Sequence, residues 1–173
     1  VDEPTIVVMF GDHQPTVDDG FYEELFGVES KDDLSISEMQ SRYQTPFVIW
    51  ANYDIPEQDV GLISANYLST LVMEVAGLEM TPYNRYLASL YAQVPAVSSL
   101  GFCDADGEAV YALEGTDYEA LIDGYQCVAY NNLLDYSHRD WGLFTLDGEA
   151  LPDVQPAKDG DGSSLLSRIF GRD

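Results

Sequence analysis

The chain is 173 residues long and 46% hydrophobic, enough for one domain with a core of its own. Seven Lys and Arg stand against 31 Asp and Glu, a formal net charge of -24 at pH 7. A chain that acidic repels phosphate backbones and anionic lipid surfaces, which argues against nucleic-acid binding, and no stretch reads as a membrane span or a signal peptide.

"TIVVMF", Thr5 to Phe10, is continuous, apolar and β-branched, the pattern of a strand buried on both faces. "DDGFYEELFG" predicts a short helix entered from an Asp and closed by Gly27. "LSISEMQSRY" predicts a second, with Ser35 or Ser37 as cap and Glu38 as capping partner. "TPFVIWAN", Thr45 to Asn52, repeats the strand pattern with Pro46 at its start. A helix is expected over Val60 to Gly77, another in "MTPYNRYLASLYAQVP" with Pro82 in its first turn, and two strands around the turn "DADG". "TDYEALIDGYQCVAYNNLLDYS" predicts a helix capped by Thr116, with Tyr118, Tyr125 and Tyr130 on one packed face. From Asp147 the chain turns Gly-, Asp- and Pro-rich, and residues 147–173 are expected to be a flexible acidic tail. Its apolar patch "SSLLSRIFG" is too short for a stable isolated helix.

The alternation of strands and helices predicts an α/β fold: a mainly parallel sheet flanked by helices, with a C-terminal β-hairpin and helix. In such sheets ligands bind beyond the carboxyl ends of the strands. Asp12 and His13 stand at the carboxyl end of the first strand. A carboxylate and an imidazole are both ligands for zinc, manganese or iron, and Gly11 permits a turn that brings both toward one ion. Two ligands do not complete a site; the others must come from further segments.

Other constellations are weaker. "CDADGE" and "AKDGDGSS" echo the start of a calcium loop but lack its twelfth-position Glu. Ser137, His138, Arg139 and Asp140 read as a polar turn rather than a triad. Cys103 and Cys127 have no metal spacing; they form one disulfide or remain inert buried thiols, and the latter is favoured. The opening "VDEP" lacks an initiator Met and meets a strong strand at once, so a piece of a longer or processed protein is expected.

"TIVVMFGDHQP", "SRYQTPFVIWANYD", "ISANYLSTLVMEVAGLEMTPYNRYLASL" and "ALIDGYQCVAYNNLLD" occur in one order. Together they resemble the C-terminal part of the catalytic domain of lipoteichoic acid synthase-like proteins, within the alkaline phosphatase and sulfatase superfamily. The resemblance covers residues 1 to about 136, and residues 1–146 are expected to be the C-terminal portion of that domain. Gly11 before the Asp-His pair and Gln14 after it favour the lipoteichoic acid branch over phosphoethanolamine transferases and sulfatases.

The resemblance implies that Asp12 and His13 coordinate a divalent metal, Mn2+ first, with Zn2+, Mg2+ or Ca2+ as alternatives. It implies transfer of phosphoglycerol from an anionic lipid head group through a threonine nucleophile. It also implies a parent anchored in the membrane by an N-terminal region and working on the extracellular face of the bacterial envelope. The family's nucleophile and remaining ligands precede this strand; Thr5, Thr16 and Thr45 do not match their context. No catalytic residue is therefore carried over, and the chain alone is expected to bind metal weakly and to turn over nothing. Three alternatives stand beside this reading: a non-enzymatic binding or scaffolding module, a sulfate ester or phosphoethanolamine hydrolase or transferase, and an independent hydrolase whose own acidic residues complete the metal site.

Overall fold

The computed structural model describes residues 2–135 and 137–147. All but the first residue of the expected tail lies outside them, as does "AKDGDGSS". The fold is mixed α/β. Its described residues divide into two compact units, one of residues 2–80 and 84–114, the other of residues 81–83, 115–135 and 137–147.

In the first unit, β1 (Ile6–Phe10) pairs with β2 (Phe47–Ala51), Ile6 opposite Ala51 and Phe10 opposite Phe47. This pairing is antiparallel, and so are the pairings in the second sheet, which corrects the expectation of a mainly parallel sheet. The reason lies in the connection. A parallel crossover must carry the chain back to the start of β1. Here the connection stays at the end of β1: Gly11 N–H donates to the Pro46 carbonyl at 3.0 Å, and Thr45 Oγ1 donates to the Gly11 carbonyl at 2.8 Å. β2 therefore starts where β1 stops.

That connection holds α1 (Asp19–Phe26) and α2 (Ile36–Ser41). Asp18 caps α1 by accepting from Phe21 N–H, and Gly27 ends it in the left-handed region at φ 69°. Ser35 caps α2 in a reciprocal capping box with Glu38, which settles the cap between the two serines. A 3-10 turn at Lys31–Asp33, unread in the sequence, separates the two helices.

α3 (Ala65–Val75) starts five residues later than expected, counting from Val60. Gly61 adopts φ 69°, and its N–H donates to Asp59 Oδ1 at 3.0 Å, so the backbone there turns rather than coils. At the other end Gly77 N–H donates to Glu74 O at 3.0 Å and Leu78 N–H to Met73 O at 2.9 Å, a Schellman closure at the expected glycine. α4 (Pro82–Tyr91) follows, then β3 (Ala96–Ser98), β4 (Gly101–Cys103) and β5 (Ala109–Val110) in one antiparallel sheet. The "DADG" turn joins β4 and β5, with Asp104 Oδ1 accepting from Asp106 and Glu108 N–H. The core of this unit gathers Leu34, Tyr67, Leu71, Leu87, Leu90, Val94, Phe102 and Cys103.

One face of the β1–β2 ribbon is bare. Val7 and Met9 and their cross-strand partners Trp50 and Val48 are exposed, whereas Ile6, Val8, Phe47 and Ile49 are half-buried. The run "TIVVMF" is therefore covered on one face only among the described residues, against the expectation of two.

In the second unit α5 (Glu119–Leu133) begins at Tyr118 without a side-chain cap; Thr116 instead gives its carbonyl to Glu119 N–H at 3.2 Å. Ile122 is its buried residue. Tyr118 and Tyr125 are half-buried beside it, but Tyr130 is exposed, since a step of five residues carries it off that face. Both cysteines are free; Cys103 is buried as expected, Cys127 is exposed. Burial, and then the charge of Asp104, push the Cys103 thiol above its ordinary value, which makes it unreactive.

Candidate functional site

The end of β1 is held to the segment before β2 by close packing. A Cβ on Gly11 would stand 2.8 Å from Thr45 Cβ, so glycine is what allows the two backbones to meet. Gln14 Nε2 adds a hydrogen bond to the Gln44 carbonyl. Asp12 and His13 lie between these ties, at the carboxyl end of β1 as the sequence places them.

The pair is preorganised. His13 N–H donates to Asp12 Oδ1 at 2.9 Å. The imidazole Nδ1 lies 2.9 Å from the Gln14 carbonyl oxygen. A carbonyl only accepts, so Nδ1 is the donor there, which leaves Nε2 as the nitrogen available to a metal. Nε2 faces Asp12 Oδ2 at 3.4 Å. Two donors bound at about 2.1 Å to one tetrahedral ion stand about 3.4 Å apart, so the spacing fits a shared metal. A carbonyl acceptor on Nδ1 is the arrangement that orients an imidazole for metal binding through Nε2. Both side chains are open, His13 77% and Asp12 83% exposed. Among the described residues no group of three His, Cys, Asp or Glu converges on one point. The donor chemistry suits a divalent ion, and two donors are fewer than the three or four protein ligands a metal site needs.

A cleft of about 750 Å3 in the same unit takes Asp12 into its lining, with Phe10, Tyr43, Gln44, Phe47 and Gln58 among its other residues. His13 is outside it. No local pattern marks this cleft, because Tyr43 and Gln44 come to share it with Asp12 through long-range ties, the Gly11–Thr45 packing and the Gln14–Gln44 hydrogen bond. The nearest sequence signal is Gly11 itself, at a strand end where a close approach needs it.

The other residues singled out are structural. In the second unit, His138 Nδ1 meets Asp135 Oδ1 at 3.0 Å and Ser137 Oγ at 3.2 Å. Both partners share one ring nitrogen, whereas a proton relay needs one on each. Asn131 bonds the His138 carbonyl and Asp140 N–H, which completes the expected polar turn.

Residues 1–78 match the family model described as Sulfatase. Sulfatase-family domains generally use a divalent metal. The chain is also 30% identical, over 92 residues, to the "Putative cyclic beta-1,2-glucan modification protein" of Rhizobium meliloti (strain 1021). That similarity covers 52% of this chain and 14% of the relative, so the chain spans a small part of the relative's length. No solved structure matches.

Proposed function

We propose that this chain supplies Asp12 and His13 to the metal site of a phosphoglycerol transferase or phosphodiesterase-like enzyme of cell-envelope polymer synthesis. The observation that carries this reading is the pairing of His13 Nε2 with Asp12 Oδ2 at 3.4 Å, inside the stretch that matches the sulfatase family. The carboxylate suits Mn2+, the first ion of this reading, and the imidazole suits Zn2+, its alternative. When bound, the cation neutralises phosphoryl oxygens and lowers the pKa of a hydroxyl nucleophile.

This chain's own part is to orient the two ligands, through the Gln14 carbonyl on Nδ1 and the Asp12 carboxylate on the His13 backbone. The nucleophile belongs to other polypeptide in this reading. Thr5 Oγ1 donates to the Glu3 carbonyl at 2.9 Å and Thr45 Oγ1 to that of Gly11 at 2.8 Å, so both hydroxyls serve the backbone. An anionic lipid head group is the donor, an envelope glucan the acceptor, and the extracellular membrane face the place of action, with the parent anchored by an N-terminal region. The relative's name, a glucan modification protein, supports the acceptor class.

The family description favours a second reading, hydrolysis of a sulfate ester or transfer of phosphoethanolamine on the same site. Titration of Mn2+ into the 173-residue chain, followed by electron paramagnetic resonance, tests the metal role. Weak binding lost in both Asp12→Ala and His13→Ala is expected; binding unchanged in either variant overturns it. The chain alone is expected to leave bis(p-nitrophenyl) phosphate and p-nitrophenyl sulfate intact. Turnover of the first overturns the part-site reading, and turnover of the sulfate alone selects the second one.

A further inference from the structure

We propose that the cleft beside Asp12 is the seat of a neutral saccharide, contacted by the rings of Tyr43 and Phe10 and by the Asp12 carboxylate. Naming that saccharide the acceptor rests on the group-transfer reading above; its binding does not.

The volume, about 750 Å3, lies within the range of about 300–1,000 Å3 typical of small-molecule sites. Its lining holds Asp12 and Asp59 but no Lys, Arg or His. Away from the Asp12–His13 pair, the lining offers a phosphate or sulfate group no Lys, Arg or His to bind it. The anionic donor is left to the cation that Asp12 and His13 would hold, and the rest of the cleft takes a neutral molecule.

Two aromatic rings in the lining are left to solvent, Phe10 at 57% and Tyr43 at 66%. Exposed rings in a concave site offer flat apolar surface with a negative π face. The C–H faces of a pyranose match that surface. Its hydroxyls donate to the Asp12 carboxylate and pair with the Gln44 and Gln58 amides, which also line the cleft. A purely apolar chain would desolvate those groups without replacing their hydrogen bonds. Gln40 is the exception among the amides: it holds the Leu100 and Phe102 carbonyls and accepts from Cys103 Sγ, so it shapes the floor.

The position gives the cleft its use. Asp12 belongs both to the cleft lining and to the pair with His13. The hydrogen bond from Gln14 to the Gln44 carbonyl ties the Tyr43 segment to that pair. A sugar hydroxyl held against Asp12 stands next to the metal ligands.

The test is a titration of the 173-residue chain with sophorose, a neutral β-1,2-linked glucose disaccharide, read by amide shifts and saturation transfer. Parallel arms use sn-glycerol 1-phosphate and hexanol. Sophorose is expected to shift the amides of Gly11, Tyr43 and Gln44, and Tyr43→Ala to weaken it by about tenfold. Tyr43→Phe keeps the ring and is expected to keep most of the affinity. Absence of sophorose binding, shifts elsewhere on the chain, equal affinity in Tyr43→Ala, or binding of glycerol phosphate or hexanol in its place overturns the inference. Failure of the metal reading is told apart by His13→Ala, which lies outside the cleft lining. It is expected to lose Mn2+ and keep sophorose, whereas Tyr43→Ala weakens sophorose and keeps Mn2+.

Discussion

Gly11 and Thr45 face each other across the opening of the β1–β2 ribbon, the threonine hydroxyl 2.8 Å from the glycine carbonyl and its Cβ where a Gly11 side chain would fall. This contact ends one strand, starts the next, and sets the turn that carries Asp12 and His13. Gly11→Ala is expected to cost about 1–3 kcal/mol, because a methyl group must displace Thr45 Cβ rather than a flexible side-chain end. Urea denaturation reads the cost. An unchanged midpoint would show that the two backbones separate freely.

Two glycines of the second sheet make a matched pair. A Cβ on Gly101 would stand 2.0 Å from the Val110 carbonyl, at φ 107°, whereas one on Gly107 meets nothing within 4 Å, at φ 82°. Gly101→Ala is expected to lose more than about 3 kcal/mol, and Gly107→Ala only the backbone strain of about 1–2 kcal/mol. Equal losses in thermal unfolding would refute the close approach of β4 and β5.

The capping box of α2 gives a pH dependence with a defined sign. Hydrogen bonds from the Ser35 hydroxyl and then from its N–H hold the Glu38 carboxyl below the ordinary value of 4.5. A depressed folded pKa means stability that is present above the unfolded value and lost as pH falls through the folded one. Ser35→Ala is expected to lower the denaturation midpoint at pH 7, by an amount that shrinks below about pH 4. A difference that stays constant with pH would remove Glu38 from the cap.

Salt is expected to stabilise the chain. With 31 acidic side chains against seven basic ones, self-repulsion opposes the compact state. The screening length falls from about 10 Å at 0.1 M salt to about 3 Å at 1 M. The thermal midpoint in KCl is expected to rise over that range. A fall would mean that the few attractive pairs, such as Lys31 Nζ to Asp19 Oδ2 at 2.7 Å, outweigh the net repulsion.

Local codes carried well from sequence to structure. Asp18, Ser35, Gly27 and Gly77 each act where a cap or a stop was read, because capping depends on residues within a few positions. Apolar spacing overstates α3, because it continues through Gly61, whose left-handed backbone the pattern does not register. Strand direction depends on distance along the chain, and alternating elements do not reveal where a connection hydrogen-bonds.

The sequence by itself determined the α/β character, the strand end at Gly11, the adjacent carboxylate and imidazole, and the acid excess that rejects anions. These follow from composition and from neighbours in the chain. Only the tertiary structure decided that β1 and β2 run antiparallel, that His13 Nε2 rather than Nδ1 faces Asp12, and that Tyr43 shares a cleft with that carboxylate. The first and third depend on backbone hydrogen bonds or on contacts between distant segments, above all the hold of Thr45 on Gly11, and the second on side-chain rotamers that residue identity does not set.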